Sequence, residues 1–174
     1  YDKKYVLAIG NDYARDWQTL IDSWDFNFPT LKLVTNLPIS TNKKNIKIIR
    51  GSWEKQSLSD LDIKKLYLNS FYVIIPLKDT IQPSGQSCCL QAMACGKPVI
   101  MSNIKGIWDK NLLVNKENIL LVEPNSVTDL KIAIEEMNNN KILYDKLKLS
   151  SRKLVKYHFN NNIMSQHIES KIRK

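Results

Sequence analysis

Short runs of aliphatic residues alternate along this chain with longer stretches in which apolar residues recur every three or four positions. Tyr5 to Ile9 is the first run, and Gly10 ends it. Consecutive apolar residues bounded by turn residues mark a strand buried on both faces. Leu31 to Val34, Ile46 to Ile49, Tyr72 to Ile75, Pro98 to Met101 and Ile119 to Val122 repeat the pattern; Gly51 stops the third run and Pro76 the fourth. Trp17, Leu20, Ile21 and Trp24 fall at i, i+3, i+4 and i+7, one face of a helix. Ser57 to Asn69 reads as a second helix, with Ser59 and Asp62 spaced as a capping pair. Ser87 to Cys95 reads as a third, stopped at Gly96. Val127, Leu130, Ile134 and Met137 mark a fourth, which the triple Asn138-Asn139-Asn140 breaks. Leu143, Leu147 and Leu154 mark a fifth; Asn160-Asn161-Asn162 breaks it before a short last helix with Ile163, Ile168 and Ile172. Strands without polar alternation, separated by helices, require a parallel sheet covered on both faces. The predicted class is therefore α/β: a doubly wound parallel sheet of about six strands, with helices on both faces and extra helices at the carboxyl end. No internal repeat is visible.

Composition narrows the class. The chain has 174 residues, 43% of them hydrophobic, enough to bury the core of one domain and too many to leave in water. No apolar run approaches the ~20 residues of a membrane span, and no basic, apolar, small-residue leader is visible. The chain opens at Tyr1, shortly before its first strand, and is expected to be a piece of a longer protein. Its formal charge of +9 favours an anionic partner: nucleic acid, lipid headgroups or a phosphorylated small molecule. Many cations lie in the last third, at Lys141, Lys146, Lys148, Arg152, Lys153, Lys156, Lys171, Arg173 and Lys174, and the plainer reading is a solvated helix face. No aromatic and basic interleaving or groove-reading motif appears, so no nucleic-acid partner is expected. Cys88, Cys89 and Cys95 are odd in number and clustered, which is no disulfide framework and fits a reducing cytoplasm. With no Cys-x-x-Cys pair and only two His, a zinc site is not expected; His158 and His167 have no partner at a readable spacing. Asp60 and Asp62 fall in the first turn of a predicted helix, where acids favour the dipole. There is no Gly-x-Gly-x-x-Gly after the first strand, which argues against NAD, and no P-loop.

Ligands of such sheets bind beyond the carboxyl ends of the strands. The loops to consider are Gly10 to Arg15, Gly51 to Trp53, Leu77 to Ser87 and Ser102 to Trp108. Gln82-Pro83-Ser84-Gly85-Gln86-Ser87-Cys88-Cys89 is the most informative, because small residues open a helix directly after a buried strand. A helix N-terminus carries unpaired N–H groups and about half a positive charge, which suits a phosphate. Ser84, Gly85 and Ser87 allow close backbone approach and add hydroxyls. The plainer reading is an ordinary capped helix.

With Ala92-Met93-Ala94-Cys95-Gly96-Lys97-Pro98-Val99-Ile100 following, this segment resembles the donor-binding loop and helix of family-four glycosyltransferases, retaining enzymes of two facing Rossmann-like domains (the GT-B fold). Their stretch runs Glu-Gly-Phe-Gly, three or four apolar residues, then Glu-Ala-Met-Ala-Cys-Gly-x-Pro-Val-Ile. Tyr5 to Asp16 is similar to the opening strand and phosphate loop of their carboxyl-terminal domain, Asn118 to Pro124 to a later strand, and Asn125 to Lys174 to the closing helices. The resemblance implies that residues 1–174 form one Rossmann-like nucleotide-sugar-binding domain, with an acceptor domain upstream. It implies a hexosyltransferase that moves a sugar, with retention, from a nucleoside-diphosphate donor to a glycan or lipid-linked acceptor, without a metal or other cofactor. The implied setting is bacterial polysaccharide synthesis in the cytoplasm, at times peripheral at the inner face of the plasma membrane.

The resemblance assigns Arg15 to stabilising the leaving group, since cleavage of a sugar–phosphate bond develops negative charge. It assigns the donor to Gly10, Asn11, Ser52, Trp53, Ser84, Gly85, Gln86, Ser87, Cys88 and Gln91. Four departures stand out. Gln91 takes the place of the family's second glutamate and keeps hydrogen-bonding capacity without the charge. Pro83 takes the place of the first; either Gln82 or Gln86 substitutes, or sugar recognition differs. Asn11 stands where an Arg is usual, and Arg15 sits near a Lys position. Plainer readings remain open: a surface ion pair for Arg15 with Asp12 or Asp16, core packing for Trp53, a plain loop for Ile104 to Asp109, and small packing residues for Cys88 and Cys89. Thr35 is a further neighbour of the base. Two other functions stay in view: an inactive nucleotide-sugar-binding scaffold, and a basic nucleic-acid or membrane-surface module.

Overall fold

The computed structural model describes residues 5–50 and 58–160, together with 163, 165 and 169. Each aliphatic run becomes a strand: β1 Val6–Ile9, β2 Leu31–Val34, β3 Ile46–Ile49, β4 Val73–Ile75, β5 Val99–Ser102 and β6 Leu120–Val122. The periodic stretches become α1 Trp17–Ser23, α2 Asp60–Asn69, α3 Gln86–Ala94, α4 Val127–Asn139 and α5 Lys141–His158. The strands form one sheet in the order β3-β2-β1-β4-β5-β6, and every pairing is parallel. The chain thus winds outward in one direction through β1 to β3, returns to the middle, and winds the other way from β4 to β6. The order reverses between β1 and β4, and such sheets hold ligands beyond the carboxyl ends of the strands at that switch point.

The two faces of the sheet carry separate cores. On one, Trp17 and Leu20 of α1 and its C-cap Trp24 meet Leu130, Ile134 and Met137 of α4 over Val6, Leu33 and Ile74. On the other, Tyr67 of α2 and Cys89, Ala92 and Met93 of α3 cover Leu7, Val73, Ile75 and Met101. Helix α5 joins them: Leu143, Tyr144 and Leu147 belong to the first core, and Leu154 to the second. The Tyr144 ring stacks on Phe71 with centroids 4.6 Å apart, and its hydroxyl donates to the Phe71 carbonyl at 2.9 Å.

Asn140 ends α4 and starts α5, its side chain accepting from the Leu143 N–H at 3.0 Å, which is how the asparagine triple breaks the helix. Two connections, β2 to β3 and β5 to β6, cross without a helix. The first is tied down by Lys43, whose Nζ donates to the carbonyls of Ile21 and Trp24 at 2.7 Å and supplies the cation that the last turn of α1 lacks.

Helix α2 starts at Asp60 rather than Ser57, because Ser59 is its cap. Its hydroxyl oxygen accepts from the Asp62 N–H at 3.2 Å while the Asp62 carboxylate accepts from the Ser59 N–H at 3.2 Å, the expected reciprocal pair. Ser57 itself, like Gly51, lies outside the described residues. Ser59→Ala is expected to cost about 1 kcal/mol, read as a fall of roughly 2–4 °C in the unfolding midpoint. An unchanged midpoint would show that tertiary packing alone holds this end of α2.

Candidate functional site

The loop after β1 turns at Gly10 and is clamped to the exit of β4. The Asp16 N–H donates to the Pro76 carbonyl at 3.0 Å, the Lys78 N–H to the Ala14 carbonyl at 2.8 Å, and Arg15 bridges to Leu77. The Leu77 N–H in turn donates to the buried Ser102 hydroxyl at 2.9 Å, which links the exits of β4 and β5. This clamp turns the Arg15 side chain inward, where it is only 5% exposed. Its guanidinium lies between two glycines. A Cβ on Gly10 would stand 2.2 Å from Arg15 Nε, and one on Gly85 would stand 3.2 Å from Nη1. Only residues without side chains leave this slot open. Nη2 donates to Cys88 Sγ at 3.2 Å, and the Cys88 thiol donates to the Ile9 carbonyl at 3.5 Å. Nε and Nη1 are buried and have no partner. Two charged N–H donors held buried and unpaired are costly.

The ion pair offered as the plainer reading of Arg15 is not what the structure holds. Among the described residues Arg15 makes no ion pair. The Asp16 carboxylate caps α1, accepting from the Thr19 N–H at 3.1 Å and the Thr19 hydroxyl at 2.5 Å. The Asp12 carboxylate accepts from the Ser84 hydroxyl at 2.5 Å and from the Ala14 N–H at 2.8 Å. Partial burial pushes the Asp12 carboxyl up, but those two hydrogen bonds and the nearby Arg15 charge outweigh it and hold the group below its ordinary value.

Gly85 is the N-cap of α3, at φ 77°, the left-handed region that favours glycine. The helix begins one residue earlier than the pattern predicts, at Gln86. Its first backbone bond runs from the Cys89 N–H to the Gly85 carbonyl at 2.9 Å, and no side chain caps the turn. The first-turn amides therefore remain available beside Arg15. Gly10, Gly85 and Cys88 gather around the guanidinium as expected. Gln86 and Ser87 are exposed on the first turn, and Gln91 is exposed one turn further along, at the i+4 position from Ser87.

Two expectations are corrected, and one plainer reading holds. Ser84 is buried with its hydroxyl committed to Asp12, so it orders the loop rather than offering a donor. The Asn11 carbonyl oxygen accepts from the Asn36 N–H at 2.7 Å and the Thr35 hydroxyl at 3.2 Å, joining the ends of β1 and β2. Ile104 to Asp109 is a packed loop: Ile104 and Ile107 are buried, and a Cβ on Gly106 would stand 2.5 Å from the Ile81 carbonyl. Ser52 and Trp53 lie outside the described residues, as does His167.

Sequence reasoning missed Asp12 and Tyr67. Asp12 sits in the loop already singled out, two residues before Ala14, and an Asx turn was the available signal. Tyr67 reads as core. Burial, then the Cys88 thiol beside it, push its hydroxyl far above the ordinary value. Among the described residues no group of three His, Cys, Asp or Glu is placed to hold a metal ion, and Asp60 and Asp62 open α2 as predicted. A hollow of about 450 Å³ beside Trp24, Phe26 and Lys43 lies where the chain leaves α1 and enters β3, at the ends of the strands opposite these loops.

Residues 43–154 match the family model described as glycosyl transferases group 1. Solved structures share the fold. The Anabaena protein HepE, in complex with UDP-glucose, superposes with a TM-score of 0.76 at 16% identity, over 98% of this chain and 49% of its own. Sucrose-phosphate synthase from Thermosynechococcus elongatus gives 0.77 at 21% identity, over 99% and 45%. The carboxyl-terminal domain of a group 1 glycosyl transferase, LpcC from Francisella tularensis, gives 0.69 at 18% identity, over 91% and 87%. The chain spans about half the length of the first two. No curated protein sequence matches it.

Proposed function

The chain belongs to the glycosyl transferases group 1 family, and on that premise we propose that the Arg15 guanidinium, seated between Gly10 and Gly85, and the first turn of α3 beside it hold the diphosphate of a nucleotide sugar. The observation that carries this is the buried Arg15 guanidinium, with Nε and Nη1 unpartnered at the mouth of an uncapped helix. Cleavage of the sugar–phosphate bond leaves a nucleoside diphosphate with a new negative charge. A guanidinium and a set of amides already oriented toward it stabilise the transition state without reorganisation. Protein donors supply that charge stabilisation, so the transfer runs without a metal. Gln86, Ser87 and Gln91 serve the sugar and ribose hydroxyls, and Ser52 and Trp53 the base. Transfer to an acceptor, with retention, requires that water be kept out. One open sheet edge does not do this, so the acceptor site and the closing wall come from an upstream domain. The acceptor is a glycan or a lipid-linked sugar, and the setting is the cytoplasm or the inner face of the plasma membrane.

A thermal-shift panel of UDP-, GDP- and ADP-sugars tests the binding half. At a hundred times its dissociation constant the right ligand adds about 2.7 kcal/mol to stability, an upward shift of roughly 5–10 °C. The 174-residue chain is expected to bind and to transfer nothing measurable. No shift with any nucleotide would remove the proposal, and turnover by this chain alone would remove the upstream domain from it.

A second reading, a binding module without catalysis, is favoured by one feature: Gln91 and Pro83 stand where the family motif has carboxylates, Gln91 exposed on α3 and Pro83 exposed in the loop before it. Gln91→Glu in the full-length protein separates the two. An active parent that gains nothing uses Gln91 natively; a parent inert with every donor is a scaffold.

A further inference from the structure

Helix α5 buries Leu143, Tyr144, Leu147, Ser151 and Leu154. At about 100° per residue, these positions span one side of the helix. The opposite side is not purely polar. Ile142 is 84% exposed, Leu149 65% and Tyr157 60%, and with Lys146, Lys153 and Lys156 they fall in one arc of about 100°. From Ile142 to Tyr157 the stripe runs about 22 Å along the outer surface. Charge on it is one-sided. The helix has five Lys and one Arg against a single acid, Asp145, which pairs with Lys141 at 2.5 Å. Lys146 pairs with Glu117 at 2.6 Å. Lys153 and Lys156 have no carboxylate within ion-pair distance among the described residues; Lys156 Nζ lies 5.6 Å from the Tyr157 ring centroid.

We infer that this outer face of α5 docks on an anionic lipid surface, with Ile142, Leu149 and Tyr157 entering the boundary between headgroups and acyl chains and Lys153 and Lys156 on the headgroups. The inference deepens the membrane location proposed above and rests on that part of it alone, not on the nucleotide slot. The choice of occupant follows from the two chemistries interleaved. A nucleic-acid backbone satisfies the lysines but has no use for an exposed Ile and Leu. A second copy satisfies the apolar residues but brings the same positive charge. Anionic lipid satisfies both, since apolar insertion and attraction to headgroups add. No described helix is long and apolar enough to cross a membrane, so the contact is interfacial.

Flotation of the 174-residue chain with vesicles tests this. Binding is expected to mixed phosphatidylglycerol and phosphatidylcholine vesicles, to weaken with salt, and to be far weaker with phosphatidylcholine alone. The pair Lys153→Glu and Lys156→Glu, and separately Ile142→Ser with Leu149→Ser, is expected to lower partitioning about tenfold or more. All four positions are exposed, so the unfolding midpoint and any shift produced by nucleotides stay as in the parent. Equal binding to both vesicle types, variants that bind like the parent, or a random oligonucleotide that displaces the vesicles would each overturn the inference. A lost nucleotide shift with intact flotation would instead strike the slot and leave this face standing.

Discussion

Arg15→Met is expected to abolish nucleotide-sugar binding while leaving the domain as stable as before, or more so. Hydrogen bonds from a charged donor are worth about 1.5–3 kcal/mol each. Losing the two that Nε and Nη1 offer a diphosphate therefore lowers affinity by a factor of about 100 or more. Stability moves the other way for the same reason. In the unliganded domain those two N–H groups are dry and unpaired, and replacing such a charge with an apolar chain of similar volume is often neutral or stabilising by about 1–4 kcal/mol. The contacts given up are one bond to the Cys88 thiol and the attraction between the guanidinium and the nearby Asp12 carboxylate. The midpoint of thermal unfolding is therefore expected to hold or to rise a few degrees, while calorimetric titration shows no heat with the parent's ligand. Arg15→Lys is expected to recover part of the affinity, because one ammonium cannot address two positions at once. An Arg15→Met protein that binds like the parent sinks the assignment. One that unfolds shows Arg15 to be structural.

Gly85→Ala is expected to damage both fold and site. At φ 77° an L side chain meets its own backbone, which costs about 1–2 kcal/mol. The new Cβ would also stand 2.8 Å from Ile75 Cγ2, inside the core, and 3.2 Å from Arg15 Nη1. The sum is about 2 kcal/mol or more, a fall of roughly 4–8 °C in the unfolding midpoint. Nucleotide affinity falls with it, because the first turn of α3 must tilt to make room. Gly96→Ala is the internal control: its φ is 66°, but the nearest atom to its Cβ would be Arg152 Cδ at 3.6 Å. It should show the backbone cost without the clash, about half the loss in midpoint, and unchanged nucleotide affinity. Equal losses for the two would mean that backbone conformation alone matters at Gly85.

The elements of this domain were readable because their signals are local. Four apolar residues in a row mark β1, and Trp17, Leu20, Ile21 and Trp24 mark α1 whatever lies elsewhere in the chain. Errors came at ends. Helix α2 begins after Ser59, where its cap decides, and α3 begins at Gln86, because Gly85 can take a backbone conformation that few other residues tolerate. The site was half readable. A helix opened by small residues after a buried strand pointed to α3, and the family resemblance pointed to Arg15 in the loop after β1. Whether Arg15 pairs with Asp12 or Asp16 was open in one dimension. The fold closes the question by giving Asp16 to α1 and Asp12 to Ser84, a residue 72 positions away.

Periodicity, turn residues and caps act over a few bonds, so the chain alone determines its strands, its helices and the class of sheet they build. Strand order is a different kind of quantity. It depends on which edges pair across many residues, and here it sets β1 beside β4 so that two distant loops meet. Only that meeting buries a guanidinium between two glycines and leaves two of its nitrogens unpaired, since burial and satisfaction of a polar group depend on neighbours in space rather than neighbours in sequence.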